Sequence, residues 1–265
     1  MRLPSLFGMV HLSPLPGAPR FQSDHGMDAV MTRAMRDATR LADAGFPALM
    51  IENYGDSPFF AAGVPPVTVA ALTRVVARVR DETGLTVGVN VLRNDAISAL
   101  GIAAATGAGW IRVNVLSGLM YTDQGPIVGQ AAEVARLRKD WCPEVGILAD
   151  VFVKHATPPP GSEISVAGAD TWERAGADAL VVSGTSTGSA PDLDRARDLR
   201  MAVPDAPILV GSGATAANLA ELAKVANGAI VGSSLKVGGR AEGEVDLGSA
   251  REFVAAAREV GWLEP

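Results

Sequence analysis

The chain has 265 residues, 48% of them apolar and 20% charged, with 29 glycines and 5% aromatics. That suits a single domain of residues 1–265, cored by Ala, Val, Ile and Leu. The net charge of −6, with no Lys/Arg stripe, argues against a nucleic-acid partner. Anionic small molecules stay open, because a few local donors outweigh a diffuse charge. One cysteine, Cys142, excludes an intrachain disulfide and a thiolate metal cluster.

A lone cysteine also fits a reducing compartment. The first eight residues lack the continuous apolar region of a signal peptide. The uncharged run 96–111 is shorter than the ~18 residues of a membrane span and contains Gly101, Gly107 and Gly109. The expectation is a cytoplasmic protein with no integral membrane segment.

Taken in chain order, short apolar runs at 6–10, 48–52, 86–91, 110–115, 146–151, 179–183, 208–211 and 229–232 predict eight strands. Amphipathic stretches at 27–43, 69–82, 95–106, 130–140, 166–175, 192–202, 216–225 and 249–260 predict the helices between them. In the first of these, Met27, Val30, Met31, Ala34, Ala38 and Leu41 share one face, and Arg33, Arg36, Asp37 and Arg40 the other. Asn94 and Asp192 are plausible N-caps. Ala44-Gly45, Thr106-Gly107 and Ala175-Gly176 read as helix exits. Eight βα units without a composition break mean a barrel or a doubly wound sheet, and eight strands favour a (β/α)8 TIM barrel.

Loop lengths locate the working face. The αβ connections, such as 44–47 and 175–178, are short, whereas the βα connections 12–26, 53–68, 116–129, 152–165 and 233–248 are long. Loops beyond the usual 2–6 residues are commonly functional, and barrel active sites lie on this same face.

Two glycine-rich loops follow the seventh and eighth predicted strands: Gly211-Ser212-Gly213-Ala214-Thr215 and Gly232-Ser233-Ser234-Leu235-Lys236. Glycine lets backbone N–H groups approach an anion closely, and barrels often bind phosphate at this place. Gly211, Ser212, Gly213, Gly232 and Ser233 are the phosphate candidates; the alternative is that these glycines only make tight turns.

Strand periodicity puts Met50 with Glu52, Gly88 with Asn90, Arg112 with Asn114, and Leu148 with Asp150 on shared sides. If those sides face the barrel axis, Glu52, Asn90, Arg112, Asn114 and Asp150 converge at the mouth. A charge at a buried strand end is costly unless paired or used. Arg112 either orients substrate or neutralises Glu52 or Asp150. His11, at the end of the first strand, suits a general acid/base or a hydrogen-bonding partner of the proline-rich loop 13–19. Lys154 suits a Schiff base or an anion contact, or an ordinary loop lysine. Glu52, Asp150, His11 and His155 together make a divalent metal conceivable without forming a compact metal motif. Ser183 and Thr185, in the loop 183–188, offer hydroxyls to substrate, or belong to a lid or a plain polar loop.

The stretch Gly8-Met9-Val10-His11-Leu12-Ser13-Pro14-Leu15-Pro16-Gly17 resembles the BtpA family. So do Ile51-Glu52-Asn53-Tyr54-Gly55-Asp56, Gly88-Val89-Asn90-Val91-Leu92-Arg93-Asn94, Arg112-Val113-Asn114 and Ala149-Asp150-Val151-Phe152-Val153-Lys154-His155. The resemblance extends over Ser183-Gly184-Thr185, Thr187-Gly188 and both glycine loops, covering nearly the whole chain. It implies a TIM barrel in a family named for photosystem I biogenesis, whose relatives also look like enzymes associated with sugar uptake. The glycine loops are similar to those of indole-glycerol-phosphate synthase and the phosphoribosyl isomerases.

Two functions follow as expectations. One is an enzyme acting on a sugar phosphate or phosphoribosyl compound, by isomerase, aldolase, lyase or transferase chemistry. In it His11, Glu52, Asp150 and Lys154 are catalytic, and Asn90, Arg112, Asn114, Ser183 and Thr185 contact substrate. The other is a non-catalytic biogenesis factor for a membrane complex, attached peripherally. The apolar-rich helices allow a homo-oligomer.

Overall fold

The computed structural model describes residues 2–184 and 192–264. Eight parallel strands close into a barrel: β1 (Leu6–His11), β2 (Ala48–Glu52), β3 (Thr86–Asn90), β4 (Trp110–Val113), β7 (Gly146–Asp150), β9 (Ala179–Val182), β10 (Ile208–Val210) and β11 (Gly228–Val231). Each expected strand is present, with ends that match or shift by at most two residues. Between them run α1 (Gly26–Ala44), α2 (Pro66–Thr83), α3 (Ala96–Thr106), α4 (Ala131–Trp141), α5 (Ile164–Ala169), α6 (Leu193–Ala202), α7 (Leu219–Leu222) and α8 (Leu247–Glu259). No helix among the described residues is long and apolar enough to cross a membrane.

Strand alternation divides the core in two. Phe7, Met9, Met50, Trp110, Leu148, Val181, Leu209 and Ile230 fill the barrel interior, with the Phe7 and Trp110 rings edge-to-face at 6.3 Å. The opposite side of each strand, including Val10, Leu49, Ile51, Val89 and Ile147, packs beneath the helices. The inward parity of Met50 and Leu148 carries on to Glu52 and Asp150 at the strand ends, so the mouth is polar where the barrel floor is apolar.

Local signals set the helix ends. Pro66 opens α2, where its missing N–H costs nothing. Asp192 caps α6 by accepting from the Arg195 N–H at 3.1 Å. Gly45, Gly107 and Gly176 all adopt positive φ at helix exits (96°, 71° and 74°).

Several expectations are corrected. Asp95, not Asn94, caps α3, accepting from the Ser98 N–H at 2.9 Å. The Asn94 amide instead bonds both backbone groups of Val115, at 2.7 and 3.0 Å. Asp37, expected on the polar face of α1, is fully buried: it accepts from the Val245 N–H at 3.0 Å and faces Lys236 Nζ at 4.0 Å. The long β11–α8 loop covers that side of the helix, and helical periodicity carries no trace of a covering loop. The stretch 166–175 is α5 followed by a π turn, Asp170–Arg174, and 216–225 is a 3-10 turn, Ala216–Asn218, leading into the short α7.

Two connections expected as loops contain strands. β5 (Leu119–Thr122) and β6 (Gly125–Val128) form a hairpin that β8 (Ala156–Thr157) joins as a three-stranded antiparallel sheet. It buries Met120 and Ile127 with Val115 and Val153 beside the mouth.

Candidate active site

The strand register assembles the mouth. His11 lies beside Glu52, Glu52 beside Asn90, and Asn90 beside Arg112. All four are buried, as are Asn114, Asp150 and Ser183.

One side is fully bonded. Arg112 grips Asp150 through Nε and Nη2, at 2.9 and 2.8 Å, with both side chains almost inaccessible. Asp150 also accepts from Asn114 Nδ2 at 3.1 Å and from the Ser183 hydroxyl at 3.4 Å. Asn90 donates to the Arg112 carbonyl at 2.9 Å. Of the two carboxylates open to Arg112 as an ion-pair partner, it takes Asp150 rather than Glu52. Burial opposes the Arg112 charge, but the Asp150 carboxylate and its hydrogen bonds raise its pKa above the ordinary value.

The other side is sparsely paired. Glu52 Oε1 lies 3.8 Å from His11 Nε2. His11 Nδ1 is 3.0 Å from the Ala241 carbonyl, which can only accept, so Nδ1 carries the proton and Nε2 presents its lone pair toward Glu52. Burial, then the charges of Lys236 and Lys154, push the His11 pKa well below its ordinary value and keep the imidazole neutral. Tyr54 stacks on His11 with centroids 4.7 Å apart and bonds Glu242 at 3.2 Å. Burial and Glu242 raise the phenol to about 12. Burial lowers the Lys154 ammonium pKa, partly countered by Glu52.

The glycine loops face this ring. Gly211, Ser212, Gly213, Gly232, Ser233 and Ser234 line a small recess together with His11, Arg112 and Lys154. A Cβ on Gly211 would sit 2.7 Å from the Ser183 hydroxyl and 2.8 Å from Arg112 Nη2; one on Gly232 would meet His11 Cε1 at 2.9 Å. Glycine here is what lets the mouth side chains reach the loop backbone. The Ser234 hydroxyl ties the loops by donating to the Ala214 carbonyl at 2.7 Å. Among the described residues nothing accepts from the N–H groups of Gly213, Ser233 and Ser234. Arg112 and Lys154 also line a mouth cavity of about 300 Å³ that holds Glu52, Tyr54, Arg93 and His155. A further cavity of about 520 Å³ opens beside Asn114 and Asp150, walled by Met120, Phe152 and Val166.

Thus His11, Glu52, Asn90, Arg112, Asn114, Asp150, Lys154 and Ser183 come together with both loops, while Thr185 lies outside the described residues. The four metal candidates do not gather: no group of three or more His, Cys, Asp or Glu side chains suited to a metal occurs among the described residues. Asp150 has both oxygens engaged, and His155 is exposed at the cavity rim.

Sequence reasoning assigned no role to Tyr54, Arg93, Lys236 or Glu242. Tyr54 and Arg93 stand within three residues of strand ends, which is a usable signal. Lys236 and Glu242 reach the mouth only through the fold of the 233–248 loop. In it Lys236 donates to the same Ala241 carbonyl as His11, at 3.1 Å.

The family match agrees with this geometry: the BtpA family covers residues 2–259. The chain belongs to the BtpA family. It is 49% identical to an uncharacterized protein of Thermococcus kodakarensis over 96% of this chain and 95% of that one. It is 43% identical to the photosystem I biogenesis protein BtpA of a Synechocystis strain, over 96% and 88%. Among solved structures, it resembles N-(5'-phosphoribosyl)anthranilate isomerase from Pyrococcus furiosus, with a TM-score of 0.61 and 15% identity over 97% and 100% of the chains. Thiamine phosphate pyrophosphorylase from the same organism gives 0.61 and 14% over 97% and 96%. At such identities the BtpA-family chain shares the barrel fold with these enzymes, and its chemistry must be argued from its own mouth.

Proposed function

We propose that this BtpA-family barrel is an enzyme acting on a small phosphorylated metabolite, a sugar phosphate or phosphoribosyl compound, by isomerase, aldolase or lyase-type chemistry. One observation carries the reading. The N–H groups of Gly213, Ser233 and Ser234, unengaged among the described residues, share a recess with Arg112, Lys154 and His11, and Arg112 and Lys154 also line the mouth cavity that holds Glu52. Preorganised backbone donors beside fixed cations are what a phosphate monoester needs. The names of the two structural neighbours, an isomerase of a phosphoribosyl compound and a thiamine phosphate pyrophosphorylase, support the same substrate class.

In this reading Gly211, Ser212, Gly213, Gly232 and Ser233 hold phosphate. Glu52, a buried carboxylate whose nearest partner is a neutral imidazole, is the proton acceptor next to a substrate carbonyl. His11, whose Nε2 lone pair faces Glu52, can accept from that carboxyl once it has taken the proton. Lys154, with its amine pKa lowered, polarises that carbonyl or attacks it. Asp150 fixes Arg112, and Asn90, Asn114 and Ser183 complete the substrate-facing wall. Thr185 is proposed to contribute from the following loop.

A thermal-shift screen with inorganic phosphate and sugar phosphates, with and without Mg2+, tests this. A ligand at about 100 times its Kd adds about 2.7 kcal/mol, a shift of several degrees at roughly 2–4 °C per kcal/mol. The shift should vanish in Gly213→Asp, whose carboxylate would occupy the recess. No shift with any phosphorylated compound would favour the second reading, a biogenesis factor for a membrane complex, which the name of the Synechocystis relative supports.

A further inference from the structure

Arg93 is a buried guanidinium that forms no ion pair among the described residues. Only 4% of it is exposed, and its one hydrogen bond goes from Nη2 to the Lys154 carbonyl, at 2.6 Å. Asp150, Glu52 and Asp123 act on it only at longer range, and burial lowers its pKa. Desolvating a guanidinium without a carboxylate costs stability, so an unpaired one facing a cavity calls for an anion from outside the chain.

The cavity has the matching imbalance. Four cations, Arg20, Arg93, Arg112 and Lys154, line it against two carboxylates, Glu52 and Glu242. Arg112 is neutralised by Asp150 from beneath, and Glu242 is engaged by the Tyr54 hydroxyl. Arg112 and Lys154 also border the glycine-loop recess, whereas Arg93 and Arg20 do not. A single phosphate in the recess would therefore leave Arg93 uncompensated.

We propose that the substrate carries a second anionic group, a carboxylate or a second phosphate, which docks on Arg93 while the first phosphate occupies the glycine loops. This deepens the phosphorylated-metabolite reading and rests on it for the first anion. The remaining guanidinium N–H groups suit the paired oxygens of either group. Arg112 and Lys154 border both the recess and the mouth cavity, so the two anionic groups belong to one compound, an acidic phosphate or a bisphosphate.

Calorimetric titration of the full chain with glycerol 3-phosphate, 3-phosphoglycerate and ribulose 1,5-bisphosphate tests it. At least one of the two probes with a second anionic group should bind roughly tenfold or more tighter than glycerol 3-phosphate, the usual scale for a charge-assisted contact. Which of the two binds tighter identifies the second group as carboxylate or phosphate. Arg93→Gln should remove that advantage and leave glycerol 3-phosphate affinity unchanged. If that variant fails to fold, Arg93→Lys, which keeps the charge but not the fork, should show a reduced advantage. Equal binding of all three probes to the wild type overturns the second-anion site alone. Undiminished binding of all three to Gly213→Asp overturns the glycine-loop phosphate site instead, and no binding by any probe overturns both.

Discussion

The two sides of the barrel mouth are built on opposite principles. On the β4–β7 side, Arg112 and Asp150 satisfy each other, with Asn114 and Ser183 closing the remaining valences. On the β1–β2 side, Glu52 faces a neutral imidazole at 3.8 Å, and round the same cavity Arg93, just after β3, and Lys154, just after β7, find no carboxylate partner among the described residues. Both sides are desolvated, so the difference is one of pairing rather than burial. Paired groups hold a shape; unpaired ones keep their charge available for something that arrives. The β1–β2 side and the residues facing it are accordingly where the chemistry is assigned.

The largest expected effect comes from breaking the paired side. Asp150→Ala leaves a buried guanidinium without its counter-charge, which typically costs about 3–5 kcal/mol. Urea denaturation should show it as a lowered midpoint. The double variant Arg112→Met with Asp150→Leu should recover most of the loss, because a packed apolar pair can replace a buried ion pair. If Asp150→Ala unfolds no earlier than wild type, the pair is not the rigid half of the mouth.

The same contrast explains what could be read from the sequence. The barrel was legible because buried parallel strands and amphipathic helices leave opposite periodicities, and all eight strands were located. The inward parity of Glu52, Asn90, Arg112 and Asp150 followed from counting by two along each strand. The partner of Arg112 did not, since Glu52 and Asp150 satisfy the same parity and only the register and barrel tilt choose between them. Asp37 was misplaced for a related reason: its helical phase is polar, but the loop from Ser233 to Asp246 folds over it and brings Lys236 and the Val245 N–H. The β5–β6 hairpin was hidden inside a long connection whose few apolar residues, such as Met120 and Ile127, are too short a signal. Contacts made by loops across the sequence were the illegible part, and Tyr54 over His11 and Arg93 under Lys154 belong to them.

A smaller effect probes the His11 environment. Its folded pKa is depressed well below the unfolded value of about 6.5. Below that unfolded value the denatured chain binds a proton that the native one refuses. The His11 contribution is therefore intact above about pH 6.5 and lost as pH falls toward the folded pKa. Carboxylates titrate in the same acid range, so the informative quantity is the difference from His11→Asn, whose amide can keep the bond to the Ala241 carbonyl. Wild type should lose stability relative to this variant on acidification, with a slope approaching about 1.4 kcal/mol per pH unit. Parallel curves would mean that the imidazole is not held neutral.

The smallest effect on stability should come from Glu52→Gln, and its smallness is the sharpest test of the contrast. The Glu52 carboxylate makes no ion pair with a charged partner among the described residues. Removing its charge forfeits longer-range attraction to Lys154, Arg93, Arg112 and Lys236, while it also removes the cost of holding a desolvated carboxylate. These opposing terms should leave the unfolding free energy within about 1 kcal/mol of wild type, unlike the loss at Asp150. Phosphate binding at the glycine loops should persist, because Glu52 does not line that recess. Turnover of the phosphorylated substrate, by contrast, should fall at least about 10²-fold if Glu52 takes the proton. A variant that binds and folds normally yet does not react would separate the two halves of the mouth by function as cleanly as pairing separates them by structure. A Glu52→Gln protein as unstable as Asp150→Ala would instead make Glu52 a structural counter-charge, and the proton acceptor would have to be sought at His11.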